Sequence, residues 1–108
     1  MSDSPVLDRF LALLASGKDS ALLRFSIGNE FLKLGDAAAA VTHLEKAVAL
    51  DAAYSAAWKL LGKAMRDNGD TNGARDAWQR GIEAAAARGD KQAEKEMTVF
   101  LRRLDKNA

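Results

Sequence analysis

Very few side chains in this sequence are equipped for chemistry. Among 108 residues there is one histidine, His43, and no cysteine. Thiolate zinc sites, disulfide frameworks and cysteine nucleophiles are therefore excluded. His43 has no second His or Cys with which to share a metal, and Glu45 lies too near in sequence to share its helix face. Neither metal ligation nor general-base work is expected there. Ser26 and Ser55 offer hydroxyls, but neither stands in the Gly-x-Ser-x-Gly elbow that presents a nucleophile. Asn68-Gly69-Asp70-Thr71-Asn72-Gly73 imitates the start of a calcium loop, with oxygen side chains at alternate positions. Its continuation fails: Arg75 replaces the apolar anchor and Gln79 the bidentate Glu. Arg88-Gly89-Asp90 spells an adhesion tripeptide but reads as a helix junction, and no glycine-rich phosphate loop occurs. The expectation is a non-enzymatic chain with no catalytic residue, no metal and no cofactor.

The cations are spaced more informatively. Lys59, Lys63 and Arg66 follow one another at intervals of 4 and 3, which places them on one face of any helix. Taken over the whole chain, 16 basic and 15 acidic residues give a net charge of +1. That lacks the positive excess of a nucleic-acid binder, so no nucleic-acid partner is expected. No apolar run approaches the length of a membrane span. The N-terminal stretch from Val6 to Ala15 is interrupted by Asp8 and Arg9 and preceded by Asp3, unlike a secretory signal. A cytoplasmic protein without a membrane partner is the resulting expectation.

Helices must position these residues. Alanine is abundant, β-branched residues are scarce and Pro5 is the one proline, a composition that favours helix throughout. Gly17, Gly35, Gly69 and Gly89 each follow an amphipathic segment and suit a left-handed C-cap. Asp36, Asp70 and Asp90 follow three of them directly, where a carboxylate can accept from the first free N–H groups of the next helix. With Ser4-Pro5 as an N-cap and first-turn pair, six antiparallel helices are predicted: 5–16, 20–34, 37–50, 54–68, 71–88 and 91–106. The last carries Ala93, Met97, Phe100, Leu101 and Leu104 on one side.

Self-comparison shows a 34-residue period: Ile27-Gly28 corresponds to Leu61-Gly62, Phe31 to Met65, Gly35-Asp36 to Gly69-Asp70, Ala40 to Ala74 and Leu44 to Trp78. A helix–turn–helix unit of that length resembles the tetratricopeptide repeat (TPR). Residues 21–54 resemble one repeat and 55–88 a second. Residues 5–16 and 90–106 would be capping half-repeats within a single domain over 1–108. Departures from the motif are Arg24 where it prefers Trp, Gly81 for a small Ala, and Ala52 and Ala86 for the closing Pro. Trp58 and Trp78 fall at core positions, and His43 at one that is usually exposed. The resemblance implies an all-α, right-handed α-solenoid whose first helices line a concave groove.

By that resemblance the groove would present Phe25, Asn29, Leu32 and Lys33 from the second helix. It would add Lys59, Lys63 and Arg66 from the fourth, and Lys91, Lys95, Thr98 and Arg102 from the last. Such a face, rich in cations and poor in acids, implies an acidic peptide or helix of another protein as partner, and a scaffold or adaptor role. The carboxylate clamp known in some TPR domains is matched only by Asn29, Lys91 and Lys95, since Phe25 and Leu60 replace two of its residues. The alternative is a structural module that self-associates through a terminal helix, built on Leu7, Leu11, Leu13 and Leu14 or on the Ala-rich turn from Ala84 to Ala87. The chain would then be a monomer or a weak homodimer.

Overall fold

Each helix begins and ends where its capping residues permit. The computed structural model describes residues 4–106. It comprises α1 (Pro5–Ala15), α2 (Ala21–Lys33), α3 (Ala37–Leu50), α4 (Ser55–Asp67), α5 (Thr71–Ala87) and α6 (Lys91–Lys106). The Gly-Asp junctions work as the sequence suggests. Gly35, Gly69 and Gly89 have φ of +80°, +82° and +74°, a conformation that costs a side-chain-bearing residue steric strain. The aspartates that follow then cap the next helix. Asp36 accepts from the Ala39 N–H at 3.1 Å, Asp70 from Gly73 at 2.8 Å and Asp90 from Ala93 at 3.1 Å. Ser4 and Ser20 do the same for α1 and α2. The calcium-like stretch is accounted for by this turn, with the Asn72 side chain accepting from Arg75 at 3.0 Å.

Helix α2 packs chiefly on α3, and α4 on α5, with α3 against α4 and α5 against α6 joining the pairs. Closeness within each pair comes from glycine. A Cβ on Gly28 would run into the Leu44 side chain, and one on Gly62 into the Trp78 ring. The repeat therefore conserves a shape between its two units: a glycine on the first helix receives a large side chain from the second. Trp78 is fully buried and donates its indole N–H to the Lys59 carbonyl at 3.0 Å; Trp58 donates to the Ala52 carbonyl at 2.8 Å. Both indoles are core residues with satisfied polar ends, as expected of apolar rings carrying one donor. Met97 of α6 enters the space beside Gly81 and is fully buried.

The caps differ from the middle. Leu7 of α1 is buried, whereas Val6 and Leu13 on its neighbouring face are exposed, as is Leu22 at the start of α2. Among the described residues no helix is long and apolar enough to cross a membrane.

Candidate functional site

The residues named for the groove fall into three groups, one on each of α2, α4 and α6. Helices α2 and α4 approach at a few points, as do α4 and α6, while no Cα of α2 comes within 8 Å of a Cα of α6. On α2, the Phe25 ring packs against Tyr54 with centroids 5.1 Å apart. Asn29 and Leu32 are half-buried, and Lys33 is exposed with its ammonium 3.0 Å from Glu30. Burial beside Phe25, together with Asp51, raises the Tyr54 phenol above its ordinary range.

Helix α4 supplies the centre. Its cations form the row that their spacing requires, but they do not stand free. Lys59 reaches Glu96 of α6 at 3.2 Å. The Lys63 ammonium lies 5.0 Å from the centroid of Phe100, also on α6. Arg66 lies 5.9 Å from the centroid of Trp78 and pairs with Asp67 at 3.3 Å. Trp78 and Phe100 are themselves 5.3 Å apart. Cations over ring faces are attracted by the negative face of the π system, so these contacts hold the α4 row in place. The expectation of a face poor in acids is corrected here: Glu30, Asp67 and Glu96 each engage one of its cations. Glu96 could have been suspected from sequence only by knowing how α6 is turned against α4.

Helix α6 divides its residues between two sides. Glu96 and Phe100 face α4, and Ala93 and Met97 are buried. Lys91, Lys95, Thr98 and Arg102 lie with Glu94 and Val99 along a shallow depression formed by α6 alone. Lys95 and Val99 each precede an α4-facing residue by one position, so they sit roughly 100° further round the helix. On the inner side, Arg66, Phe100, Arg103 and Leu104 enclose a smaller space between α4 and α6, of about 300 Å³. Phe100, Arg103 and Leu104 thus border Arg66 in a space that the residues named from sequence for the groove did not include. Asn29 and the pair Lys91 and Lys95, the three matches to a carboxylate clamp, lie on helices separated by α4.

The residues that suggested chemistry are all occupied otherwise. Ser55 is buried and donates to Asp90 at 3.1 Å, and the Ser26 hydroxyl donates to the Leu22 carbonyl at 2.9 Å. The Ala93 N–H and the Ser55 hydroxyl hold the Asp90 carboxyl below the usual carboxylate range. In the adhesion-like tripeptide, Arg88 donates to the Ala53 carbonyl at 3.0 Å while Asp90 caps α6. His43, expected to be exposed, is half-buried. It stacks on Phe31 with centroids 5.5 Å apart and accepts a hydrogen bond from Arg24. Burial, and then the Arg24 charge, lower its basicity. Among the described residues no cluster of three or more His, Asp or Glu side chains could hold a metal ion.

No protein-family model matches the chain. It is 58% identical over 94 residues to a TPR repeat-containing protein of Pseudomonas aeruginosa, covering 87% of this chain and 90% of the relative. Its fold is similar to the solution structure of a Bordetella parapertussis protein, with a TM-score of 0.83 and 45% identity over 96% of this chain and 90% of that one. It also resembles the crystal structure of a tetratricopeptide repeat domain protein from Salinibacter ruber, with a TM-score of 0.74 and 25% identity over 81% of this chain and 97% of that one. With the paired helices, their glycine contacts and the Gly-Asp junctions in view, these likenesses place the chain in the tetratricopeptide repeat family.

Proposed function

We propose that this chain is a non-enzymatic protein–protein interaction module that takes an acidic segment of another protein across α2, α4 and α6. The observation that supports this reading is the α4 row: Lys59, Lys63 and Arg66 on one face, beside the rings of Phe100 and Trp78. An incoming carboxylate would exchange with Glu96 at Lys59 and meet Lys63 and Arg66 beyond it, while apolar side chains rest on Phe100 and, at the α2 end, on Phe25. Asn29 and Lys33 would meet the segment where it enters. Lys91 and Lys95 would be reached by a segment that continues over α6. Charge-assisted contacts of this kind favour capture and orientation, and they weaken as salt rises.

The test is fluorescence anisotropy with a labelled peptide of alternating Glu and Leu, against a counterpart in which each Glu is Lys. The acidic peptide is expected to bind and the basic one not. Replacing Lys59→Glu with Lys63→Glu should abolish binding while the helical circular dichroism is unchanged. Equal binding by that double variant would reject the reading.

A further inference from the structure

We infer that two unpartnered surfaces of this chain fit each other, so that the outer stripe of α6 in one copy docks in the groove between α3 and α5 of another. Neither surface includes the α4 row, although the α6 stripe shares Lys91 and Lys95 with the far end of the proposed peptide path.

The first surface is the stripe Lys91, Lys95, Val99 and Arg102. Val99 is 39% exposed, and among the described residues the three cations have no ion pair. Lys95, Val99 and Arg102 are spaced 4 and 3, which puts an apolar residue between two positive ends about 10 Å apart. One acid, Glu94, shares the depression.

The second surface lies where α3 and α5 stay apart: no Cα of one comes within 8 Å of a Cα of the other. The gap is an open groove of about 500 Å³ with Ala49 and Ala77 in its walls and Trp58 and Met65 at its base. Its rim carries Glu45 and Asp76. Among the described residues Glu45 has no ion pair. The groove already seats a cation of its own. The Arg80 guanidinium lies 5.9 Å from the Trp58 centroid and 3.1 Å from Asp76. Since Arg80 engages Asp76, the free charge of the rim is Glu45; an incoming cation would meet Glu45 or displace Arg80 from Asp76 and the Trp58 ring, which suits a basic segment with an apolar centre. The α6 stripe has that composition.

Stripe and groove are different surfaces, so one contact leaves a stripe and a groove free on the pair, and further copies add to give chains or rings. The contact is small, so association is expected to be weak and to fall with salt.

Sedimentation velocity over a wide concentration range tests this. At low salt the mean mass of the wild-type chain should rise with concentration past that of a dimer, and at high salt it should return to that of a monomer. Lys95→Glu with Arg102→Glu should weaken association by on the order of tenfold or more, as should Glu45→Lys with Asp76→Lys. In an equimolar mixture of the two double variants the reversed stripe and the reversed groove complement each other again, so association should be restored. Lys95→Gln with Arg102→Gln should weaken association in the same direction, which guards against misfolding of the charge-reversed chain. A wild-type chain that stays monomeric throughout, a dimer that does not grow, or association unchanged by either double variant would each overturn the inference. Loss of peptide binding in the α4 variant with assembly intact would leave the two proposals separately judged.

Discussion

Arg24 donates from Nη1 to Nδ1 of His43 at 3.0 Å, and the same guanidinium holds the two carboxylate oxygens of Asp19 at 2.8 and 3.0 Å. This chain of three side chains ties the α1–α2 turn to α3, at the position where the repeat motif prefers Trp. Burial, and then the Arg24 cation donating to Nδ1, disfavour the charged form of His43, whose face stacks on Phe31. Asp19 is drawn below the usual carboxylate range, first by its hydrogen bonds with Arg24, with Lys46 contributing a further positive field.

A pH dependence follows with a definite sign. The folded-state pKa of His43 is below the ordinary 6.5, so the unfolded chain binds this proton more readily. The resulting contribution to stability is present above about 6.5 and is lost as pH falls from there through the folded pKa. Chemical denaturation at a series of pH values should therefore show stability declining as pH is lowered through that window. His43→Asn should flatten this slope. The slopes contributed by Asp19 and Asp90 lie below 3.8, because their folded pKa values are depressed from that figure. An unchanged slope in His43→Asn as pH falls from about 6.5, above the carboxylate window, would contradict the assignment.

Gly62→Ala sets two effects against each other. Alanine improves helix propensity by about 1 kcal/mol, but its Cβ would occupy the Trp78 ring's space. Overpacking of a well-filled core costs about 1–3 kcal/mol, and an indole that also anchors a hydrogen bond has little room to yield. A net loss of stability on the order of 1–2 kcal/mol is expected from urea denaturation. A stabilised variant would show that the α4–α5 contact is looser than described.

Trp78→Phe removes the indole donor from the Lys59 carbonyl and leaves a void in a fully buried site. Together these should cost about 2–4 kcal/mol. The smaller ring at position 78 reaches Phe100 less fully in the same variant, so the Lys63 contact should loosen as well, visible as altered chemical shifts at both residues.

Asp90→Ala should act locally before it acts globally. The carboxylate accepts from Ala93 in the first turn of α6 and from Ser55 in the first turn of α4. Its loss should speed hydrogen exchange at the start of α6 while α3 keeps its protection. Equal acceleration throughout would mean that α6 opens only with the whole chain.

Much of the architecture was legible in the residues themselves. The Gly-Asp junctions announced where helices stop and start, because a left-handed residue and a carboxylate cap are both local requirements. The 34-residue correspondence matched Gly28 to Gly62 and Leu44 to Trp78, a small and a large position that recur together; that each glycine receives the large side chain of its own unit is seen only in the packed helices. The row Lys59, Lys63 and Arg66 followed from helical spacing alone. Tertiary structure decided what each residue meets. Glu96, 37 positions from Lys59, is its partner only because of how α6 is rotated against α4. That rotation is set by Met97 seating beside Gly81, and it also carries Lys91 and Lys95 to the outer side. His43 is half-buried because Arg24 and Phe31 of α2 close over it, a contact that no pattern within α3 encodes. Capping, spacing and side-chain size act over a few residues and can be read in order along the chain. The partners of a charged side chain depend on the mutual rotation of packed helices, which the whole core sets at once.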